Sequence, residues 1–186
     1  MSVNINPTCA TGCTNAPPPV SFDYCQPTTG FGEISYVYAT SAATNTFLMD
    51  WEDLVEWTAR LHQTAIVGTE IRKLTVMGSK AAPEYNDIEM SLNRTLTSNK
   101  KHSIAFKIDE IGDANYNFLR SAECGTQQRI WYEDSAGYLY GGDAGILVYM
   151  KLDHIIPENS QELQYFEGTA SWEAKFHPER IVSPMA

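Results

Sequence analysis

Apolar and polar residues alternate along much of the chain, and the last long segment shows the pattern most plainly. In 165–176, Phe166, Ala170, Trp172, Ala174 and Phe176 occupy one parity. Glu167, Thr169, Ser171, Glu173 and Lys175 occupy the other. A period of two with one apolar face predicts a half-exposed strand of an antiparallel sheet, with Trp172 as its core anchor. The same pattern predicts a strand over 33–40, with Ile34, Tyr36 and Tyr38 on one face and Val37 and Ala39 on the other, and a second over 70–77. Residues 78–83 (GSKAAP) then break regular structure. Segments 88–97 and 102–108 alternate on either side of Ser98-Asn99-Lys100-Lys101, which predicts a hairpin with its turn at 98–101. Further strands are predicted over 129–133, 138–140 and 146–154, with turns at 134–137 and 157–160.

Two segments change to a period near 3.6. Asp50 is placed as a helix N-cap with Asp53 three residues on, and Trp51, Leu54, Val55, Thr58 and Leu61 form one face. Over 114–124 a second helix is capped by Asp113 and ended by Gly125 at a left-handed position. Its inward residues are Tyr116, Leu119 and Cys124, or Phe118 and Ala122. About eight strands and two helices predict a mainly β (α+β) fold. It is an antiparallel β-sandwich or partly closed barrel with one or two flanking helices. Trp51, Trp57 and most other aromatics are read as core.

Residues 1–30 depart from this pattern. They hold five of the nine prolines and a single charge, Asp23. Pro17-Pro18-Pro19 favours polyproline II, and such a segment buries too little apolar surface to order itself. It is expected to act as an extended arm on a neighbouring subunit or across its own domain. Pro17, Pro18, Pro19, Phe22 and Tyr24 are its contact residues. The expected organisation is this arm, a β-domain over 31–178, and a tail over 179–186.

Composition narrows the function. Thirteen Lys and Arg against 23 Asp and Glu give a net charge of −10, and only Arg72-Lys73 and Lys100-Lys101 are adjacent bases. A nucleic-acid grip needs clustered cations. No apolar run approaches the ~20 residues of a transmembrane helix, so no membrane contact is expected, and residues 1–14 lack the charge and apolar core of a secretory signal. Of the four cysteines, Cys9, Cys13 and Cys25 lie in the arm and Cys124 at a helix end. Reduced thiols, a thiolate metal site on the first three, and disulfides formed after release all remain open.

Catalytic motifs for nucleophilic, phosphate-binding or zinc chemistry are missing. The histidines His62, His102, His154 and His177 are far apart along the chain, and His154 reads as a surface residue at a strand end. Cys124 at a helix C-terminus is poorly placed to be a thiolate. Glu133-Asp134-x-x-Gly137 and Gly142-Asp143 are acidic but lack calcium-loop spacing, so hairpin turns are expected. The residues point to a binding or assembly protein with no cofactor, not an enzyme.

Three segments, PTTGFGEISY from Pro27, GSKAAPE from Gly78 and YFEGTASW from Tyr165, resemble small virion proteins of the crAss-like tailed phages of gut Bacteroidetes. The order of elements over about 25–178 is similar to the phage tail-tube and tail-hub fold. That resemblance implies a six- or twelve-fold homo-oligomeric ring in the tail or neck of a virion, assembled in the host bacterial cytoplasm. It would contact portal-associated or tail proteins, and DNA would pass through without specific binding. An acidic wall suits such a conduit, and the candidate lumen residues are Glu89, Asp109, Glu110, Glu133, Asp134 and Asp143. Two other readings stand beside it: a capsid decoration or head-surface protein, and a carbohydrate-binding β-sandwich.

Overall fold

The computed structural model describes residues 32–42, 50–62, 69–91, 94–125, 127–159 and 161–185. In chain order its elements are β1 (Ile34–Ser41), α1 (Leu54–Leu61), β2 (Arg72–Lys80), β3 (Glu84–Met90), β4 (Arg94–Ile108), α2 (Asp113–Glu123), β5 (Gln128–Asp134), β6 (Tyr138–Tyr140), β7 (Ile146–Ile155), β8 (Tyr165–Ala174) and β9 (Arg180–Val182). Six strands close an antiparallel barrel in the order β1-β2-β4-β8-β7-β5, with β5 returning to β1. The mainly β, antiparallel fold read from the alternation is therefore the one observed, in its barrel form.

Inward positions fill the barrel. Val37, Leu74, Val76, Ile104, Phe106, Ile130, Val148, Met150, Phe166 and Ala170 are all buried in one cluster. Phe106 has glycine on both sides in register: Gly78 in β2 and Gly168 in β8. A Cβ at Gly168 would lie 2.5 Å from the Phe106 ring, and one at Gly78 3.0 Å from the Phe106 Cβ. Gly78 thus marks a close approach within β2. It does not end the strand as expected, and β2 continues to Lys80.

Each end of the barrel is finished differently. At the end marked by Ile108 and Phe166, α2 covers the opening and inserts Leu119 and Ala122 into the core. Tyr116 of α2 and Cys124, its C-cap, are exposed instead. Gly125 adopts φ +72°, as its helix-ending role requires. The opposite end is formed by Ile34, Lys80, His102, Tyr132 and Trp172.

A smaller core lies outside the barrel wall. Tyr38, Trp51, Trp57, Ile71, Trp131 and Leu139 pack there, under α1. Tyr38 meets Trp57 edge-on at 5.2 Å, and Trp57 meets Trp131 edge-on at 5.5 Å. Both indoles donate to backbone carbonyls, Trp57 to Trp51 and Trp131 to Gly142, each at 2.7 Å. The helix starts later than expected. Asp53, not Asp50, is the N-cap and accepts from the Val55 amide at 2.9 Å. Leu54 and Val55 then fall in the exposed first turn, and Trp57 and Arg60 face inward.

Two other expectations change. Residues 98–101 do not turn but lie inside β4, and the chain reverses beyond Met90. The polar stretch resembles a turn because it spans the barrel rim: Lys100 and Lys101 still pair with β8, and before them β4 pairs with β3 alone. Arg180–Val182, expected as tail, forms β9 and pairs with β6 at the margin of the sheet.

Trp172 is only 7% exposed and lies in the inward row of β8. Trp172→Ala should lower stability by about 3–5 kcal/mol through lost burial and the cavity left behind, measured as a lowered urea midpoint at unchanged slope. Gly168→Ala should also destabilise, by about 1–3 kcal/mol, because the new methyl group collides with a packed ring; differential scanning calorimetry would read it as a lowered melting temperature.

Candidate functional site

β4 is 15 residues long, or roughly 50 Å at strand rise. Its second half belongs to the barrel. Lys100 and Lys101 pair with both β3 and β8, and residues 94–99 run past the barrel and pair only with β3, in a hairpin that stands out from the open end. Every residue of β3 is exposed. Among them are three large apolar side chains, Tyr85, Ile88 and Met90, at 58%, 53% and 47% exposure. In register, Ile88 lies opposite Leu96, and Glu89 opposite Thr95. The outer edge of β3 has no strand partner among the described residues, so the amides and carbonyls of its alternate residues face outward.

At the hairpin base the barrel opens into a cavity of about 340 Å³ lined by Gly32, Glu33, Ile34, Lys80, Tyr132, Asp134, Tyr140, His177 and Pro178. Tyr132 and Tyr140 stack at 4.8 Å. Just inside, His102 is fully buried. It stacks on Trp172 at 5.3 Å and meets His177 edge-on at 5.3 Å. Neither ring nitrogen of His102 makes a well-formed hydrogen bond. Its pKa is lowered by loss of water, then by the nearby Lys80, His177 and Lys100, against a weak opposing pull from the Ala174 backbone. His177 is lowered for the same reasons. Two histidines separated by 75 positions along the chain thus meet at the mouth.

The acidic residues proposed for a channel wall disperse. Glu89 is exposed on the projecting hairpin. Asp109 and Glu110 are exposed at the far end of β4, roughly 45 Å of strand away. Glu133 is a correction: it is only 6% exposed and its carboxylate accepts a hydrogen bond from Tyr38 at 2.8 Å, so it faces the small core. Asp134 organises the β5–β6 turn, accepting from the Ala136 and Tyr138 amides and the Tyr140 hydroxyl. Asp143 is exposed and anchors the Trp51 amide at 3.0 Å. His154 is also a correction: its Nε2 is buried and its ring packs on Phe166 at 5.0 Å. The arm residues Pro17, Pro18, Pro19, Phe22 and Tyr24, with Cys9, Cys13 and Cys25, lie outside the described residues. No protein family, curated protein or solved structure matches this chain.

Lys80, Lys100, His102 and His177 did not stand out from the sequence. One signal was present: the inward parity of Ile108, Phe106 and Ile104 runs back through His102 to Lys100.

The shifted groups set the pH response. His102 and His177 resist protonation in the native state and accept it more readily when unfolded, so stability should fall as pH drops below about 6.5. Tyr38, raised by burial and by its bond to Glu133, and Tyr132, raised by burial, resist ionisation. Stability should therefore also fall as pH rises above about 10. Urea midpoints measured across pH would show both limbs, and His102→Phe should flatten the acid one.

Proposed function

We propose that the protein is a structural subunit of a virion that assembles with copies of itself into a ring. The observation that supports this reading is the projecting β3–β4 hairpin. A single chain gains no core from it, yet it presents Tyr85, Ile88 and Met90 to water and a strand edge to any neighbour. Edges of this kind either are blunted or recruit another strand. Asp87 and Glu89 on the alternate positions give the hairpin an acidic face. Hairpins joined edge to edge around a ring would form a continuous sheet, and that acidic face would suit a wall along which DNA moves without being held. In this reading only Glu89 of the six acidic candidates belongs to the wall.

Native mass spectrometry and negative-stain imaging of the concentrated protein test the proposal. The expected result is closed rings of six or twelve copies. Ile88→Lys with Met90→Lys should leave monomers whose unfolding midpoint matches the parent, because neither side chain contributes to the core. Removing residues 1–26 should also weaken the rings and leave a cooperatively folded domain. Rings that persist without the hairpin residues, or a protein that stays monomeric or trimeric at every concentration, would overturn the ring reading and favour capsid decoration.

A further inference from the structure

The barrel mouth carries basic groups that a hairpin-mediated ring does not use. Lys80 of β2 lies opposite Ile104 of β4, and Ile104 points into the core. His102 shares that parity and lies opposite the buried Trp172. Strand alternation therefore directs Lys80 and His102 inward, into positions that an ordinary barrel fills with apolar side chains. Loss of water lowers the Lys80 pKa, and Lys80 has no ion pair among the described residues. His102 is wholly buried, and beyond a weak contact with the Ala174 backbone its ring nitrogens lack well-formed hydrogen bonds, an arrangement that costs free energy.

The charges around these groups share one sign. Lys80 and Lys100 both act on His102 and His177, and no carboxylate figures among their electrostatic neighbours. Of the two acids that line the cavity, Asp134 already accepts three hydrogen bonds, and Glu33 is exposed at the rim. Two half-buried lysines, Lys80 and Lys100, thus gather beside two histidines at one end of a protein of net charge −10. The cavity beside it, about 340 Å³ and walled by Ile34, Tyr132, Tyr140 and Pro178, falls in the size range of small-ligand sites, and barrel mouths are a usual place for them.

We propose that the barrel mouth binds a small organic anion, a carboxylate or phosphate head on a flat apolar body. The head lies between Lys80 and His177, with His102 behind them, and the body lies against Tyr132 and Tyr140. The site stands on the barrel alone and does not require the ring. Protonation of either histidine adds positive charge beside the head, so the anion binds more tightly as pH falls.

Isothermal titration calorimetry on the full chain, with benzoate, phenyl phosphate and the neutral benzamide as probes, decides the matter. Saturable one-site binding of benzoate or phenyl phosphate is expected, and whichever binds more tightly identifies the head group. Benzamide should bind at least tenfold more weakly. Lys80→Met should weaken the anions at least tenfold at an unchanged melting temperature, because the apolar stem is kept. Lys100→Met should weaken them less, because Lys100 stands farther out, above Tyr85. Benzoate keeps a single charge between pH 7.5 and 5.5, and over that range its affinity should rise severalfold in the parent and by less in His177→Asn, where only His102 still titrates. No saturable binding, equal binding of benzamide, or undiminished affinity in a folded Lys80→Met protein would each overturn the proposal.

Discussion

The pairing of β1 with β5 holds the architecture together. β1 forms partners from Ile34 to Ser41 with Asp134 to Gln128 on one side, and with β2 on the other. Without this seam the six strands would be an open sheet with two long edges. Closure also makes β1 serve two cores. Val37 and Ala39 face the barrel interior, and Tyr38 faces the smaller core under α1. A register shift between Ile34 and Tyr36 moves Ile34 to the interior side. The Tyr38 hydroxyl then ties the outer face to Glu133 of β5, across the same seam.

Closure leaves two ends, and they are not alike. α2 seals one with Leu119 and Ala122, and the rings of Tyr116, His154 and Phe166 pack around it. At the other end the described chain begins at Gly32, β4 runs on past the wall, and Lys80, His102 and His177 gather. Polar chemistry collects there because the interior parity of the strands continues beyond the point where apolar core can fill it. Inward positions near the rim have partial access to water, and basic side chains with long stems tolerate such sites better than compact acids do.

The hairpin follows from the same continuation of β4. Within the barrel, β4 is held by β2 and β8; past Lys100 only β3 remains. A two-stranded ribbon with no face buried is marginal alone in water. Its exposed Tyr85, Ile88 and Met90 therefore mark a surface whose stability improves on contact with another molecule. Lys100 and Lys101 stand at its base, the first above the Tyr85 ring and the second 3.9 Å from Glu84. Exposed pairs of this kind add little stability, so the hairpin depends on its strand pairing.

The periodicity of the sequence by itself determined most of the strands, both helices and the antiparallel, mainly β class, because a half-buried strand records its inward face at every second residue. It placed Trp172 and Phe166 in the core for the same reason. It misread Ser98–Lys101 as a turn, since apolar alternation stops where the strand crosses the barrel rim, and it began α1 too early, since Asp50 and Asp53 are equally good caps on composition. Gly78 looked like a breaker because one sequence cannot show that Phe106 packs against it from the next strand. The burial of Glu133, the meeting of His102 with His177, and the inward turn of Lys80 were decided only by tertiary structure. Each depends on which strands are neighbours and in what register, and barrel closure sets both through contacts far apart along the chain.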